Sequence, residues 1–506
     1  MSMMEPQAAT AESTRASANG ADSDARILRN FIGSQWVEAA AGETLEDRNP
    51  ATGELLAHVP LSSAADVDAA VSAAREAQAE WGATPPQRRA RAVISLRNAL
   101  WDAREELARL VTTDMGKTLD DASGEVGRGI ESTEAACGIP TLMKGDNLEG
   151  IATSMDVEEW RQPVGVVAAI TPFNFPAMIP LWFLPFALAT GNSIVLKPSE
   201  RDPLTSERIF ELIESIDELP PGVANLVHGA HDSVNALLDH PEVDAISFVG
   251  QASTAKYVVE RAAPSGKRVQ ALGGAKNSMV VMPDAKLDDA MPAMMASAFG
   301  NAGQRCLAGS VAVIVGDEER RAEVREALKD AASSVIVGPG DGEDVLCPPM
   351  VGADARERVA GAVERALDGG AELILDGRGT GNDAGCLMGP TLIATDDRDS
   401  ELTQEELFGP VLAVVDAPDF GDAIGFVNSS RYGNASSIFT TSGAAARRYR
   451  AECEAGMIGV NVGVPAPVAW FPFAGWKDSF LGDLHANGRD AVLFYTRAKV
   501  VTSRWT

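Results

Sequence analysis

From residue 164 onward the chain repeats one unit: a short unbroken apolar run, a helical stretch, then another apolar run. Residues 164–171, 193–197, 224–228 and 245–249 read as strands. Between the first three lie two helical stretches. Residues 177–190 are apolar and stopped by Gly191-Asn192, and 203–216 are amphipathic and opened by Pro203, a favoured first-turn residue. Continuous apolar strands are buried on both faces, and strand–helix alternation builds a parallel, doubly wound sheet. Such sheets bind ligands at the carboxyl ends of their strands, so the residues following each run become candidates. A second series at 278–282, 311–315, 372–375, 411–415 and 458–462 predicts another α/β unit. Residues 66–79 and 86–112 predict helices. The alternating tail 492–501 predicts a strand with no core of its own. Together with 152–160, it is expected to pair elsewhere in the protein or on a neighbouring subunit.

At 506 residues the chain exceeds one ordinary core, which suggests two or three domains. With 72 acidic against 43 basic residues the net charge is −29, which argues against a nucleic-acid partner. It leaves room for a small anionic substrate, because a few local arginines override the global field. Cys137, Cys306, Cys347, Cys386 and Cys453 are scattered and odd in number. That spacing suits neither a disulfide framework nor a zinc site, so no metal is expected and the reducing cytoplasm fits best. Residues 1–25 are rich in Ala, Ser, Glu and Asp, lack the apolar run of a secretory leader, and read as a disordered tail. The longest apolar stretch, 178–189, is too short for a bilayer and is interrupted by Pro180 and Pro185, so no membrane is expected.

Five short segments carry candidate chemistry. In Gly303-Gln304-Arg305-Cys306 an exposed thiol beside a cation suits a nucleophile, since a neighbouring positive charge lowers the thiol's pKa. Alone, a free cysteine reads first as an inert core thiol. Thr171-Pro172-Phe173-Asn174-Phe175-Pro176 ends a strand, and the Asn174 amide can stabilise an oxyanion or simply shape a proline-rich turn. After the next strand, Lys197 and Glu200 can grip a ribose. A carboxylate there accepts hydroxyl hydrogen bonds and disfavours a 2′-phosphate, which points to NAD over NADP. A solvated loop explains the pair equally. Gly250-Gln251-Ala252 can aim helix N–H groups at a pyrophosphate, although it lacks the usual glycine-rich fingerprint. Glu405-Glu406-Leu407-Phe408-Gly409-Pro410 offers an acid for a second ribose and a ring to pack on a base. It also reads as an acidic turn before a strand.

In this order and spacing, from about residue 28 onward, these segments together with Gly273-Gly274 resemble the aldehyde dehydrogenase superfamily. The resemblance implies a Rossmann-type cofactor domain (26–145 and 166–270), an α/β catalytic domain (271–465) and a β oligomerisation arm (146–165 and 485–506) that makes a homodimer or homotetramer. It implies Cys306 as nucleophile, with Asn174 and the Cys306 N–H on the oxyanion. It also implies NAD held by Thr171, Phe173, Lys197, Glu200, Gly250, Gln251, Glu406 and Phe408.

The chain departs from the hydrolytic members. They carry a general base before Leu-Gly-Gly, and here that position is Ala271. Losing such a base removes most of a factor of roughly 10²–10⁴ for water attack. A thiol acceptor ionises far more readily than water and needs less help. Three further segments resemble the CoA-acylating methylmalonate-semialdehyde dehydrogenases: Ala271-Leu272-Gly273-Gly274-Ala275-Lys276-Asn277, Gly124-Glu125-Val126-Gly127-Arg128-Gly129, and Gly463-Val464-Pro465-Ala466-Pro467.

In that subfamily two arginines bind the substrate's carboxylate, and Arg128 and Arg305 stand at the matching positions. Arg128 also reads as a surface ion pair with Glu125 or Glu131. The implied reaction converts a carboxylate-bearing aldehyde, methylmalonate or malonate semialdehyde, to propionyl-CoA or acetyl-CoA with loss of CO2, as in valine or inositol breakdown. Its rivals are a hydrolytic enzyme with a substitute base and a non-catalytic protein on the same scaffold. Gln251, Ala255 and Ser278 stand where the family more often carries Ser, Gly and His, which bears on cofactor affinity and substrate choice.

Overall fold

A computed structural model describes residues 25–382 and 384–506. The tail expected over residues 1–25 lies outside them but for Ala25.

The chain builds an α/β architecture around two large sheets. The first has eight strands in the order Gln35–Val37, Asn30–Ile32, Ala224–Leu226, Ser193–Lys197, Val166–Ile170, Ala245–Val249, Arg268–Leu272 and Phe480–Leu481. Its five central strands are parallel. Every residue of Val166–Ile170, Ser193–Lys197 and Ala245–Val249 is buried, as two-sided helix cover demands. The chain winds outward from Val166–Ile170 through Ser193–Lys197 to Ala224–Leu226, then restarts on the other side with Ala245–Val249. The carboxyl ends of Val166–Ile170 and Ala245–Val249 therefore flank a topological switch point, where doubly wound sheets open a crevice.

The second sheet has seven strands in the order Glu372–Leu375, Thr391–Ala394, Val411–Ala417, Gly309–Val315, Asn277–Val281, Ala435–Phe439 and Met457–Val460. All neighbours are parallel except the first pair. A third, three-stranded antiparallel sheet joins Asn147–Ala152, Met155–Pro163 and Thr496–Arg504.

Several expectations shift at their edges. The expected helix 86–112 is two helices, Pro86–Asp102 and Arg104–Met115, which break at Ala103. The expected tail strand begins later, because Gly488–Phe494 is a helix and only Thr496–Arg504 is extended. Ala491, Val492 and Phe494 sit on one helical face and are buried in the first core, which overrides the alternating pattern.

Helix Met178–Thr190 is buried along nearly its whole length and packs on helix Leu119–Cys137. Gly129 makes this possible, since a Cβ there would lie 2.7 Å from the Leu181 Cδ1 atom. The close packing lays the face carrying Asp121, Glu125 and Arg128 beside the loop that follows Val166–Ile170. No helix among the described residues is long and apolar enough to cross a membrane.

Candidate active site

The turn 300–306 precedes strand Gly309–Val315 at the amino edge of the second sheet. Asn301 and Ala302 take left-handed backbone at φ 53° and 51°, followed by Gly303 at φ 70°. Such geometry is costly for residues with a Cβ and is held only where surroundings enforce it. Gly303 is required for a second reason, because a Cβ there would run into the Gly409 carbonyl. Two asparagines lock the turn. The Nδ2 groups of Asn277 and Asn434 donate to the Cys306 carbonyl at 2.9 and 2.8 Å. Each begins or precedes a strand of the same sheet, so the thiol is anchored to rigid elements rather than to a free loop.

The loop after Val166–Ile170 meets this turn. Asn174 is buried, and its Nδ2 donates to the Gln304 carbonyl at 3.0 Å. The two segments named in the sequence therefore touch, although 130 residues separate them. Behind Asn174 is an ion pair. Lys117 Nζ lies 2.5 Å from the Glu125 carboxylate, and both side chains are wholly buried. The same Nζ donates to the Asn174 carbonyl at 2.7 Å and sits 4.1 Å from the centre of the Phe175 ring. The other Glu125 oxygen accepts the Ala177 and Met178 N–H groups at 2.8 and 3.1 Å. One buried pair thus clamps both ends of the loop that presents Asn174.

The Cys306 thiol opens on a cavity of about 270 Å³ that is also lined by Arg128, Arg305, Phe175, Trp182 and Phe473. Both expected arginines are there, and both are already paired. Arg128 contacts Glu131 at 2.9 Å, one of the surface partners named for it, while Glu125 is taken by Lys117. Arg305 contacts Asp121 at 2.5 Å and donates to the Ala296 carbonyl at 3.1 Å. The expectation that Arg305 activates the thiol therefore needs correction. Burial pushes the Cys306 thiol up to about 12, the Glu406 carboxylate adds to this, and Arg305 pulls it down only as the smallest contribution. With its guanidinium turned to Asp121, Arg305 has little effect on the sulfur.

The residues assigned to a dinucleotide gather at the switch point. The Thr171 N–H donates to the Lys197 carbonyl at 3.1 Å, which joins two strand ends. Lys197 Nζ lies 2.8 Å from Glu200. Burial would raise the Glu200 carboxyl, but the charge and hydrogen bond of Lys197, a backbone hydrogen bond and the Arg201 charge together hold the group below its ordinary value. The Gly250 N–H donates to the Leu272 carbonyl at 3.0 Å. Gln251 is the N-cap of helix Ala252–Ala262 and provides no side-chain cap, so first-turn N–H groups remain free to meet an anion.

Glu406 and Phe408 come from the loop before Val411–Ala417. Glu406 accepts the Ala275 N–H at 3.1 Å, and burial raises its carboxyl to about 7. Phe408 holds left-handed backbone at φ 54°, and its ring meets that of Phe173 edge-on at 5.7 Å. Ala271 lies inside strand Arg268–Leu272 and is fully buried, so no carboxylate stands at that position. Among the described residues, no cluster of three or more metal-ligating side chains has metal-site geometry.

Lys117, Gln304, Asn277, Asn434 and Asp121 escaped the sequence reading. Asn277 and Gln304 lay inside quoted motifs, where nothing distinguished a structural amide from a spacer.

Comparison with known proteins gives a consistent result. The profile of the aldehyde dehydrogenase family matches residues 36–501. The malonate-semialdehyde dehydrogenase 1 of Geobacillus kaustophilus is 50% identical over 481 residues, covering 95% of this chain and 98% of the relative. Its counterpart in Halalkalibacterium halodurans is 49% identical over 479 residues, covering 94% and 98%. Among solved structures, a protein of Sinorhizobium meliloti 1021 assigned as methylmalonate-semialdehyde dehydrogenase, solved with NAD, superposes with TM-score 0.93. It is 42% identical and covers 96% of this chain and 99% of its own. The methylmalonate-semialdehyde dehydrogenase of Oceanimonas doudoroffii gives TM-score 0.92 at 42% identity, covering 95% and 99%.

Proposed function

The chain belongs to the aldehyde dehydrogenase family and is an oxidoreductase acting on aldehydes; from that premise we propose that it oxidises malonate or methylmalonate semialdehyde with NAD and passes the acyl group to coenzyme A. The observation that carries the choice of acceptor is Ala271, a buried methyl where a water-activating base is needed.

The Cys306 thiol loses its proton to solvent, and its sulfur bonds to the aldehyde carbon as the carbonyl π pair moves onto oxygen, forming the oxyanion of a thiohemiacetal. The second N–H of the Asn174 amide and the Cys306 backbone N–H receive the oxyanion, which aligned donors in a dry site stabilise strongly. Glu200 and Lys197 hold the adenosine ribose, the uncapped helix Ala252–Ala262 meets the pyrophosphate, and Glu406 takes the second ribose, with Phe408 beside the ring. NAD held by these residues would supply the acceptor for the hydride of the former aldehyde carbon, so that a thioester would remain on Cys306. The coenzyme A thiolate then attacks the acyl carbon and the Cys306 thiolate departs. The β-carboxylate leaves as carbon dioxide once it stands beside a thioester carbonyl, and the carbon it leaves takes up a proton. Arg128 and Arg305 grip that carboxylate beforehand, as guanidinium forks do. The arm sheet, with Trp160, Val500 and Trp505 exposed, is the surface proposed to meet further copies of the chain in the cytoplasm.

One observation favours a second reading. Glu406, raised to about 7, exerts its charge on Cys306 and is a substitute base for water. Steady-state NADH formation from malonate semialdehyde, with and without coenzyme A, separates the two. Turnover that stalls after one equivalent of NADH until coenzyme A is added supports acyl transfer. Full turnover without any thiol refutes it and leaves Glu406 as the base.

A further inference from the structure

Three cations line the cavity beside Cys306, and each already holds a carboxylate. Lys117 is sealed with Glu125, and Arg128 lies on an exposed helix face with Glu131. The third pair differs from both. The Arg305 side chain is 15% exposed and Asp121 is 29% exposed, so the contact is half-sheltered yet reachable from the cavity. Arg305 is steadied from behind by the Ala296 carbonyl at 3.1 Å. Asp121 is equally fixed. It lies in the first turn of helix Leu119–Cys137, where its N–H donates to the Thr118 Oγ1 atom at 3.2 Å. A carboxylate in a first turn is favoured by the helix macrodipole.

We propose that Asp121 is a built-in competitor for the substrate's carboxylate, holding Arg305 until an acid-bearing aldehyde displaces it. This rests on the reading of Arg128 and Arg305 as the carboxylate clamp. The chemistry is an exchange of one carboxylate for another at a single guanidinium. With no substrate bound, the pair spares a half-buried cation from standing unpaired and keeps its fork aimed into the cavity. A neutral aldehyde leaves the pair intact and gains nothing from Arg305. An acid-bearing aldehyde gains only the difference between its own contact and that of Asp121. The ion pair thus weakens binding of the acid-bearing aldehyde, whose carboxylate must win the guanidinium from a resident one. Selectivity for the acid group is set by Asp121 as much as by the arginines.

The test compares KM for malonate semialdehyde with KM for propionaldehyde, and the inhibition constant of malonate as a probe without an aldehyde. Asp121→Asn is expected to lower the KM ratio about threefold to tenfold, the range of a partly sheltered ion pair, and to lower the malonate constant in step. Asp121→Ser, a second charge-removing variant, moves both in the same direction. Asp121→Glu keeps the wild-type values. Asp120→Asn removes the same charge one residue away and leaves the ratio where it was. A ratio that stays constant or rises in Asp121→Asn and Asp121→Ser means Asp121 merely positions Arg305, and overturns the proposal. Failure of the clamp itself looks different: malonate does not inhibit the wild-type enzyme and Arg128→Ala leaves the ratio unchanged. That result overturns both readings.

Discussion

Replacing Lys117 by methionine removes one partner of an ion pair whose two side chains are wholly buried. Breaking such a pair typically costs about 3–5 kcal/mol, because the remaining charge has lost its counterion. Here the remaining charge is Glu125, which still accepts two backbone N–H groups at 2.8 and 3.1 Å. The loss is therefore expected at the lower end, about 3 kcal/mol. For 506 residues the unfolding entropy is on the order of 1 kcal/mol per kelvin, so the melting temperature falls by about 3 °C. The effect on activity is separate. The Asn174 carbonyl loses its 2.7 Å donor, and the amide proposed to face the oxyanion loses its support. Deleting an oxyanion donor outright costs about 10²–10³ in rate, and a displaced one costs a fraction of that. Calorimetry gives the first quantity and stopped-flow NADH formation the second. Lys117→Met combined with Glu125→Gln removes both charges and is expected to recover part of the lost stability while the rate stays low. A single variant as stable and as fast as the wild type would sink the reasoning.

Two further outcomes concern titration. Burial, with Lys197 adding to it, pushes the His228 imidazole down to about 3. An unfolded histidine takes up its proton near 6.5, so this group's stabilising contribution is complete above that value and is lost as pH falls towards 3. Between pH 7 and pH 5 the loss is about 2 kcal/mol, and His228→Gln is expected to flatten that part of the melting-temperature profile. An unchanged profile would show that the imidazole is not held neutral. Glu406 is the group next to burial in raising the Cys306 thiol. Glu406→Gln is therefore expected to speed iodoacetamide alkylation of Cys306 at pH 8, and an equal or slower rate counts against that electrostatic link.

The strands of both sheets were legible because burial on two faces leaves continuous apolar runs. Ser193–Lys197, Ala245–Val249 and Val411–Ala417 fall where those runs lie. The short strands Asn30–Ile32, Gln35–Val37 and Phe480–Leu481 were not legible, being two or three residues long with no pattern to repeat. Within the site, Cys306 and Asn174 announced themselves through motifs. Lys117 and Glu125 did not, because a buried charge looks like a surface charge until its partner is known. They are only eight residues apart, but the carbonyl they serve lies 57 residues on from Lys117. Arg305 misled for the same reason. Its adjacency to Cys306 in sequence suggested an effect on sulfur, whereas its side chain reaches Asp121 on another helix.

The arm sheet carries a consequence in time. Strand Met155–Pro163 lies between Asn147–Ala152 and Thr496–Arg504, and the Arg504 and Met155 side chains that meet across it are 349 residues apart. At about 5–20 residues per second, a ribosome needs on the order of tens of seconds to make the intervening chain. Throughout that interval Met155–Pro163 has one neighbour and one open row of backbone donors and acceptors, beside the exposed side chains of Leu148 and Trp160. An open edge of this kind is a template for any other extended segment. The hazard for this protein is therefore greatest on the polysome, where nascent copies crowd together before their closing strand exists. Slowing translation after residue 163 is expected to prolong that exposure, and supplying the closing strand early, by circular permutation, to end it.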